Sequence, residues 1–407
     1  MFDTIFRLNP LFTLTCLQDV DEKQKEQFTR FASKKDFFGL LHAPPEAKLT
    51  VKAVNRDLAV FLQQLHEPKR LSTVFSSLGE KAKEEDERYI LRLVLDNVLE
   101  VQHEGEFISG VEAVNRVLSP PSRFQHPTQT PGKRNRIQIL SDASIFFAVN
   151  SALVHPRDVS LVLYNFNRIP LSRHWKQRFP NETALATYLD LSDDGSWEGM
   201  SNWAIPRVAE KETNGKTAQF DLYWRGWNFA RKRPPEDMPS YKVYFSPLPQ
   251  DLPDVFRIVR HAASHSEAHF MKIGRNVPEI LRADKLIVYF GEYRHAVGFA
   301  REMSGSLASF RYQGTPFSYQ VNPDNPLVSI GVDPPRNFGN LFSWRLYITT
   351  KLSLAIQGAR RTGAKDISEY IHTYMRVVGV DSLNWCPLNE DWSIAFRVEE
   401  KKDGQSE

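Results

Sequence analysis

The chain has 407 residues, 41% hydrophobic and 25% charged, with 52 Lys and Arg against 49 Asp and Glu for a formal net charge of +3. This is the composition of a globular protein with room for two or three buried cores, and so small a positive excess gives no general drive toward nucleic acid or membrane surfaces. Cys16 and Cys386 stand at opposite ends, which excludes a disulfide scaffold and gives no metal-ligand spacing.

The N-terminal stretch MFDTIFRLNPLF carries Asp3 and Arg7 within its apolar residues and has no small-residue cleavage site, so it does not read as a signal peptide. No apolar run reaches the ~18 residues of a spanning helix, and no repeat occurs at solenoid periods. The expectation is a cytoplasmic protein without a membrane partner or cofactor. A charged helix is predicted over Asp21 to Ala32. KLTVKAV then alternates as a strand, and Asn55 is placed to cap a helix with Leu58, Ala59, Leu62 and Leu65 on one face, closed by Pro68. Two more helices follow, one packed through Leu71, Val74, Phe75 and Leu78 and one through Ile90, Leu91, Val94 and Leu95. VLEVQHEGEFIS reads as two strands turning at His103 to Glu106.

Strand, three helices and a two-stranded wing suggest a winged-helix domain over residues 1–117. The pattern resembles the leader-peptide recognition domains of peptide-modifying enzymes. That resemblance implies a precursor peptide added as a strand beside the wing, with Val51 and Lys52 on the receiving strand. A DNA-binding use of the same scaffold is disfavoured, because the candidate recognition helix, Glu84 to Asn97, carries Glu84, Glu85, Asp86, Glu87 and Asp96 against Arg88 and Arg92. Residues 118–136, rich in Pro and cations, read as a linker.

Residues 137–407 read as a larger α+β domain with a mixed sheet. The elements in order are a helix from Asp142 to Val154, a strand VSLVLYNF, and a segment from Asp193 to Pro239 holding Trp197, Trp203, Trp224 and Trp227. Trp224 and Trp227 are candidates for a peptide groove, although most tryptophans are core. Then come the strand YKVYFSP, the helix LPDVFRIVRHAASHSEA, the strands HFMKI and KLIVYF, a helix over His295 to Met303, the strand SFRYQ and the helix LFSWRLYITTKLSLAIQGA. His261, His265 and His269 are four apart, but no Glu follows the first in the protease pattern, so no metal is expected.

Between His269 and Arg345 lie Lys272, Arg275, Arg282, Lys285 and Arg345, five cations that could converge on an anion, or equally be edge-strand surface charge. A lysine among arginines acquires a lowered pKa and can act as a base. The order of the YKVYF strand, HFMKI, RADKLIVYF, TPF, GVDPP and SWR resembles the phosphothreonine-lyase-like proteins, which include certain bacterial type III effectors and the lyase components of lanthipeptide synthesis. The resemblance covers about Tyr241 to Ala359. It implies Lys272 as the base and Arg275, Arg282 and Arg345 as phosphate ligands. Where that family often places a histidine acid, this chain has Lys242, Val243 and Tyr244, so His265, His261 or His295 would have to substitute.

Two functions follow as expectations. The first is a peptide-binding protein of ribosomal-peptide natural-product maturation that presents a precursor peptide to another peptide-modifying enzyme. The missing histidine and the central aromatics favour it. The second is a lyase that eliminates phosphate from phosphothreonine or phosphoserine in such a peptide, with a secreted effector as a further variant.

Overall fold

The computed structural model describes residues 3–20, 28–29, 36–44, 51–80, 84–117, 134–192, 196–197, 203–204, 223–229, 240–322, 324–334 and 343–388, with only the backbone at 84–85 and 203–204. The helix expected over Asp21 to Ala32 and most of the expected linker lie outside them. None of the described helices is long and apolar enough to cross a membrane. The chain divides into two compact units: unit 1 is Met1–Thr130, Lys351–Ser382 and Pro387–Glu407, and unit 2 is Pro131–Thr350 with Leu383–Cys386. The expected division kept everything from 137 onward in one domain. Residues 351–382 instead belong with the N-terminal unit.

In unit 1, strands β1 (Ile5–Leu8), β2 (Thr13–Cys16), β3 (Phe37–His42), β4 (Val51–Asn55), β5 (Lys69–Arg70), β6 (Leu99–His103) and β7 (Glu106–Ile108) form two antiparallel sheets, in the orders β5-β1-β6-β7 and β2-β3-β4. Asn55 caps the helix Arg56–Gln64 by accepting from the Leu58 N–H at 3.0 Å, as its position before an apolar-periodic run predicts. Leu58, Ala59, Leu62 and Leu65 are buried. The hairpin turns at Glu104 and Gly105, both with positive φ. The layout departs from three helices with a two-stranded wing. β1, with Phe6 and Leu8 buried, inserts between β5 and β6, and Val51–Asn55 joins a separate sheet. The late segment is tied in by polar contacts. Asp96 accepts from Arg361 Nη2 at 2.7 Å and from the Tyr370 hydroxyl at 2.6 Å, and Arg376 donates to Asn115. Gly358 makes room for Tyr370, whose hydroxyl lies 2.4 Å from where a Cβ would be.

Unit 2 is built on one antiparallel sheet of β8 (Trp203–Ala204), β9 (Trp224–Phe229), β10 (Tyr241–Phe245), β11 (Ala268–Gly274), β12 (Leu286–Phe290), β13 (Tyr319–Asn322) and β14 (Asn325–Val332), in the order β13-β14-β10-β12-β11-β9-β8. Alternation gives the sheet two unlike faces. Trp227, Val243, Phe245, Met271, Ile273, Val288, Phe290 and Ile330 form the apolar face. The helices Leu252–Ser264 and Tyr293–Ser306 cover it, with Phe256 5.7 Å from the Trp227 ring and Phe299 5.1 Å from Phe290. The opposite face carries the polar and charged residues.

Two predicted strands take other forms. Residues 159–165 lie in a helix, Pro156–Asn165, because His155 accepts from the Arg157 N–H and Pro156 fits the first helical turn. That helix buries Val159, Ser160 and Leu163. Residues 309–313 run beside 246–248 with only an isolated bridge, Pro247 to Tyr312. The sheet edge there is β13 and β14.

Candidate functional site

Strand register sets the polar face of unit 2. Lys272 and Tyr244 are both partners of Ile287, from the two sides, and Ser329 stands beyond Tyr244, so Lys272, Ile287, Tyr244 and Ser329 form one transverse row. Two residues along each strand, Phe270, Tyr289, Lys242 and Gly331 form the next. The lysines of the two rows flank one ring, each Nζ lying 5.6 Å from the Tyr289 centroid. Lys242 is buried and paired with Asp333. Lys272 is partly exposed, with Nζ 4.2 Å from the Trp224 ring centre. Burial first, and then the Lys242 charge, pull the Lys272 pKa down to about 7.

Beside these rows Asp284 gathers two guanidiniums. Arg282 Nε donates to Oδ1 at 2.8 Å and Arg345 Nη1 reaches Oδ2 at 2.9 Å. Burial alone would raise the Asp284 pKa, but the Arg282 and Arg345 charges outweigh it and hold the carboxyl well below the usual range. Tyr164 braces both cations: its ring centre lies 5.1 Å from Arg282 and 4.9 Å from Arg345, and its hydroxyl accepts from Arg282 Nη2 at 2.6 Å. Arg282 also donates to Glu279 at 2.8 Å, and Arg345 to the carbonyls of Pro316 and Tyr164, each at 2.9 Å. Arg345, 1% exposed, is therefore a framework cation. Arg282 reaches the Trp224 ring at 5.1 Å, so a charged guanidinium and the Lys272 amine share one aromatic surface.

The other expected site residues are placed elsewhere. Lys285 is fully buried, donating to the Pro247 carbonyl at 2.6 Å and to Gln313 Oε1, and burial lowers its pKa to about 7; it has no surface for a substrate. Arg275 pairs with Glu182 at 2.8 Å. His265 is exposed at the end of the helix on the apolar side of the sheet, its Nδ1–H donating to the His261 carbonyl at 2.9 Å and its ring 4.7 Å from that of His261. Trp227 is wholly buried on the apolar face, so it cannot line a groove, whereas Trp224 is partly exposed on the polar face. Val51 and Lys52 lie in unit 1, on the wall of a cavity of about 450 Å³ that also includes Asp96 and Arg361.

Sequence reasoning missed Tyr164, Asp284, Tyr289 and Asp333, and cited Tyr244 only as the place where a histidine is absent. The visible signal was an acid within the short motifs already singled out, Arg282-Ala283-Asp284 and Gly331-Val332-Asp333. His269 also reaches this region: it sits at a β-bulge, 6.4 Å from the Tyr289 ring, with a buried Nδ1 that has no partner. Burial lowers its pKa to about 4, so it is neutral at pH 7. Among the described residues no group of three or more His, Cys, Asp or Glu is placed to hold a metal ion.

The chain matches no family model and no curated protein sequence. Among solved structures it is similar to an effector protein from Pseudomonas syringae pv. tomato strain DC3000, at 11% identity and a TM-score of 0.38, over 62% of this chain and 98% of that one. An effector from Pseudomonas syringae pv. syringae strain 61 gives 13% identity and a TM-score of 0.38, over 61% and 98%. The Chromobacterium violaceum VirA (SpvC) phosphothreonine lyase effector gives 11% and 0.26, over 44% and 97%. The likeness is distant in each case.

Proposed function

We propose that the polar face of unit 2 is a lyase site at which Lys272 removes the proton α to a carbonyl and phosphate leaves from the adjacent carbon, the substrate being a peptide with phosphothreonine or phosphoserine. The observation that carries this reading is the pairing at Trp224, where a partly exposed amine with a pKa of about 7 lies beside the Arg282 guanidinium. An amine with a substantial neutral fraction near pH 7 can accept a carbon-bound proton, and a cation next to it can stabilise a departing anion. Asp284, with Arg345 behind it, fixes the Arg282 plane. Lys242 is paired with Asp333, Arg282 with Glu279 and Asp284, and Arg345 with Asp284, so the charge that a bound anion meets is carried by the Arg282 guanidinium and by whatever fraction of Lys272 is protonated. A precursor peptide of ribosomal-peptide maturation is the substrate that the sequence suggests.

The test is incubation of the full chain with synthetic phosphothreonine peptides, reading loss of phosphoric acid by mass spectrometry. The wild type should convert them, and Lys272→Ala should lower the rate by roughly 10²–10⁴. A wild type that binds these peptides and leaves the phosphate in place would sink the lyase reading and favour peptide presentation.

A further inference from the structure

We infer that the cavity in unit 1 binds a carboxylate carried on an apolar body, held by Lys52 and Arg361. The inference is independent of the lyase reading, since every residue lining this cavity belongs to unit 1. At about 450 Å³ the cavity has the size of sites that take small ligands. Leu11, Phe12, Leu41, Val51 and Val98 give it apolar wall, and Leu11 is 66% exposed, so a large apolar side chain stands uncovered there. Lys52 is the cross-strand partner of Leu41, so the two side chains rise on one face of the sheet.

Most polar groups of the wall are engaged within the protein. Asn9 donates to the Asn97 carbonyl and accepts from the Leu11 N–H, and the Thr362 hydroxyl donates inside its own helix. Both carboxylates are taken: Glu100 by Arg7 at 2.7 Å, and Asp96 by Arg361 Nη2 on one oxygen and the Tyr370 hydroxyl on the other. Lys52 differs, having no hydrogen bond or ion pair among the described residues. Arg361, 34% exposed at its side chain, spends only one of its N–H donors on Asp96.

A lysine that only guarded the outer edge of β4 would stand in water with an ordinary pKa. Lys52 is instead partly enclosed, and burial pulls its pKa down; the Asp96 charge works against this, while Arg361 and Arg92 reinforce it. An ammonium so placed gains from an added anion, and the guanidinium beside it offers the planar donors that fit a carboxylate. The charge count sets the class of anion. Lys52 and Arg361 against Asp96 leave one positive charge, and Glu100 is cancelled by Arg7. A monoanionic carboxylate neutralises that charge, whereas a phosphate dianion would exceed it.

The carboxylate can come from a free acid or from the C-terminus of a peptide, and the test separates the two. The full chain is titrated in a calorimeter with octanoate, with octanamide, and with a leucine-terminated pentapeptide whose end is free or amidated. Octanoate should bind more tightly than its amide by roughly tenfold or more, and Lys52→Met should erase that margin. A free-ended peptide that outbinds both octanoate and its own amide would support the site and identify the group as a chain terminus. Equal affinity of acid and amide in both pairs overturns the inference, as does an acid preference that survives in Lys52→Met. So does the failure of both acids to bind at millimolar concentration. Should Lys52→Met fail to fold, lysine acylation of the wild type, read by peptide mass spectrometry, replaces it. Octanoate should then protect Lys52 selectively, and unchanged labelling of Lys52 overturns the site.

Discussion

Replacing Lys242 with Met should move the acid limb of the pH–rate profile upward, because Lys242 is one reason that Lys272 is deprotonated near neutrality. Each Nζ lies 5.6 Å from the Tyr289 ring centre, so at most about 11 Å separates the two amines. At that distance and an effective dielectric of about 20, two unit charges repel by about 1.5 kcal/mol, or about one pKa unit. The Asp333 charge, which raises the Lys272 pKa, stays in place when Lys242 is removed, so it does not offset the change. The limb near pH 7 should therefore shift to about 8 or higher. The assay is kcat/KM for phosphate release against pH, paired with the pH dependence of Lys272 acylation by mass spectrometry, which reads the same amine without turnover. A limb and an acylation midpoint that both stay put in Lys242→Met would show that the two lysines are not coupled.

Asp284→Asn should cost about 3–5 kcal/mol in denaturant unfolding, because it leaves Arg282 and the buried Arg345 without their shared anion. Trp227→Ala should lose about 3–5 kcal/mol of stability, as for a core ring, and leave the affinity of the folded protein for phosphopeptide unchanged in titration calorimetry. Lys285 has its pKa lowered to about 7 in the fold, below the ordinary lysine value near 10.5, so the unfolded chain binds more protons between those values. Stability should thus rise with pH across that window by up to about 1.4 kcal/mol per unit from this group, and Lys285→Met should flatten the rise in urea melts.

The sequence made the amphipathic helices and the alternating strands legible, since Leu252–Ser264 and Tyr241–Phe245 carry their period in plain view. The last two strands of the sheet were not legible. All eight residues of β14 are buried, which erases the two-residue alternation that marks a strand. The helix Pro156–Asn165 was hidden by VSLVLYNF, whose β-branched and aromatic residues outweigh the capping signal at His155 and Pro156. At the site, the cations were found because they cluster in sequence. Which of them face substrate was decided by carboxylates: Asp284 and Glu279 engage Arg282, Asp284 holds Arg345, and Glu182 takes Arg275. Spacing carries no trace of such pairings.

The contacts of Asp96 have a consequence for biosynthesis. Its carboxylate is satisfied by Arg361 and Tyr370, 265 and 274 residues later, so during translation it waits while the ribosome makes Pro131–Thr350 of unit 2. The N-terminal strands and helices can form early, but their side facing Asp96 stays open to chaperones and proteases until residues 351–382 emerge. A ribosome-bound chain arrested before that point should be cleaved near Asp96 by a protease that spares the finished protein, and its refolding should wait on one long-range closure.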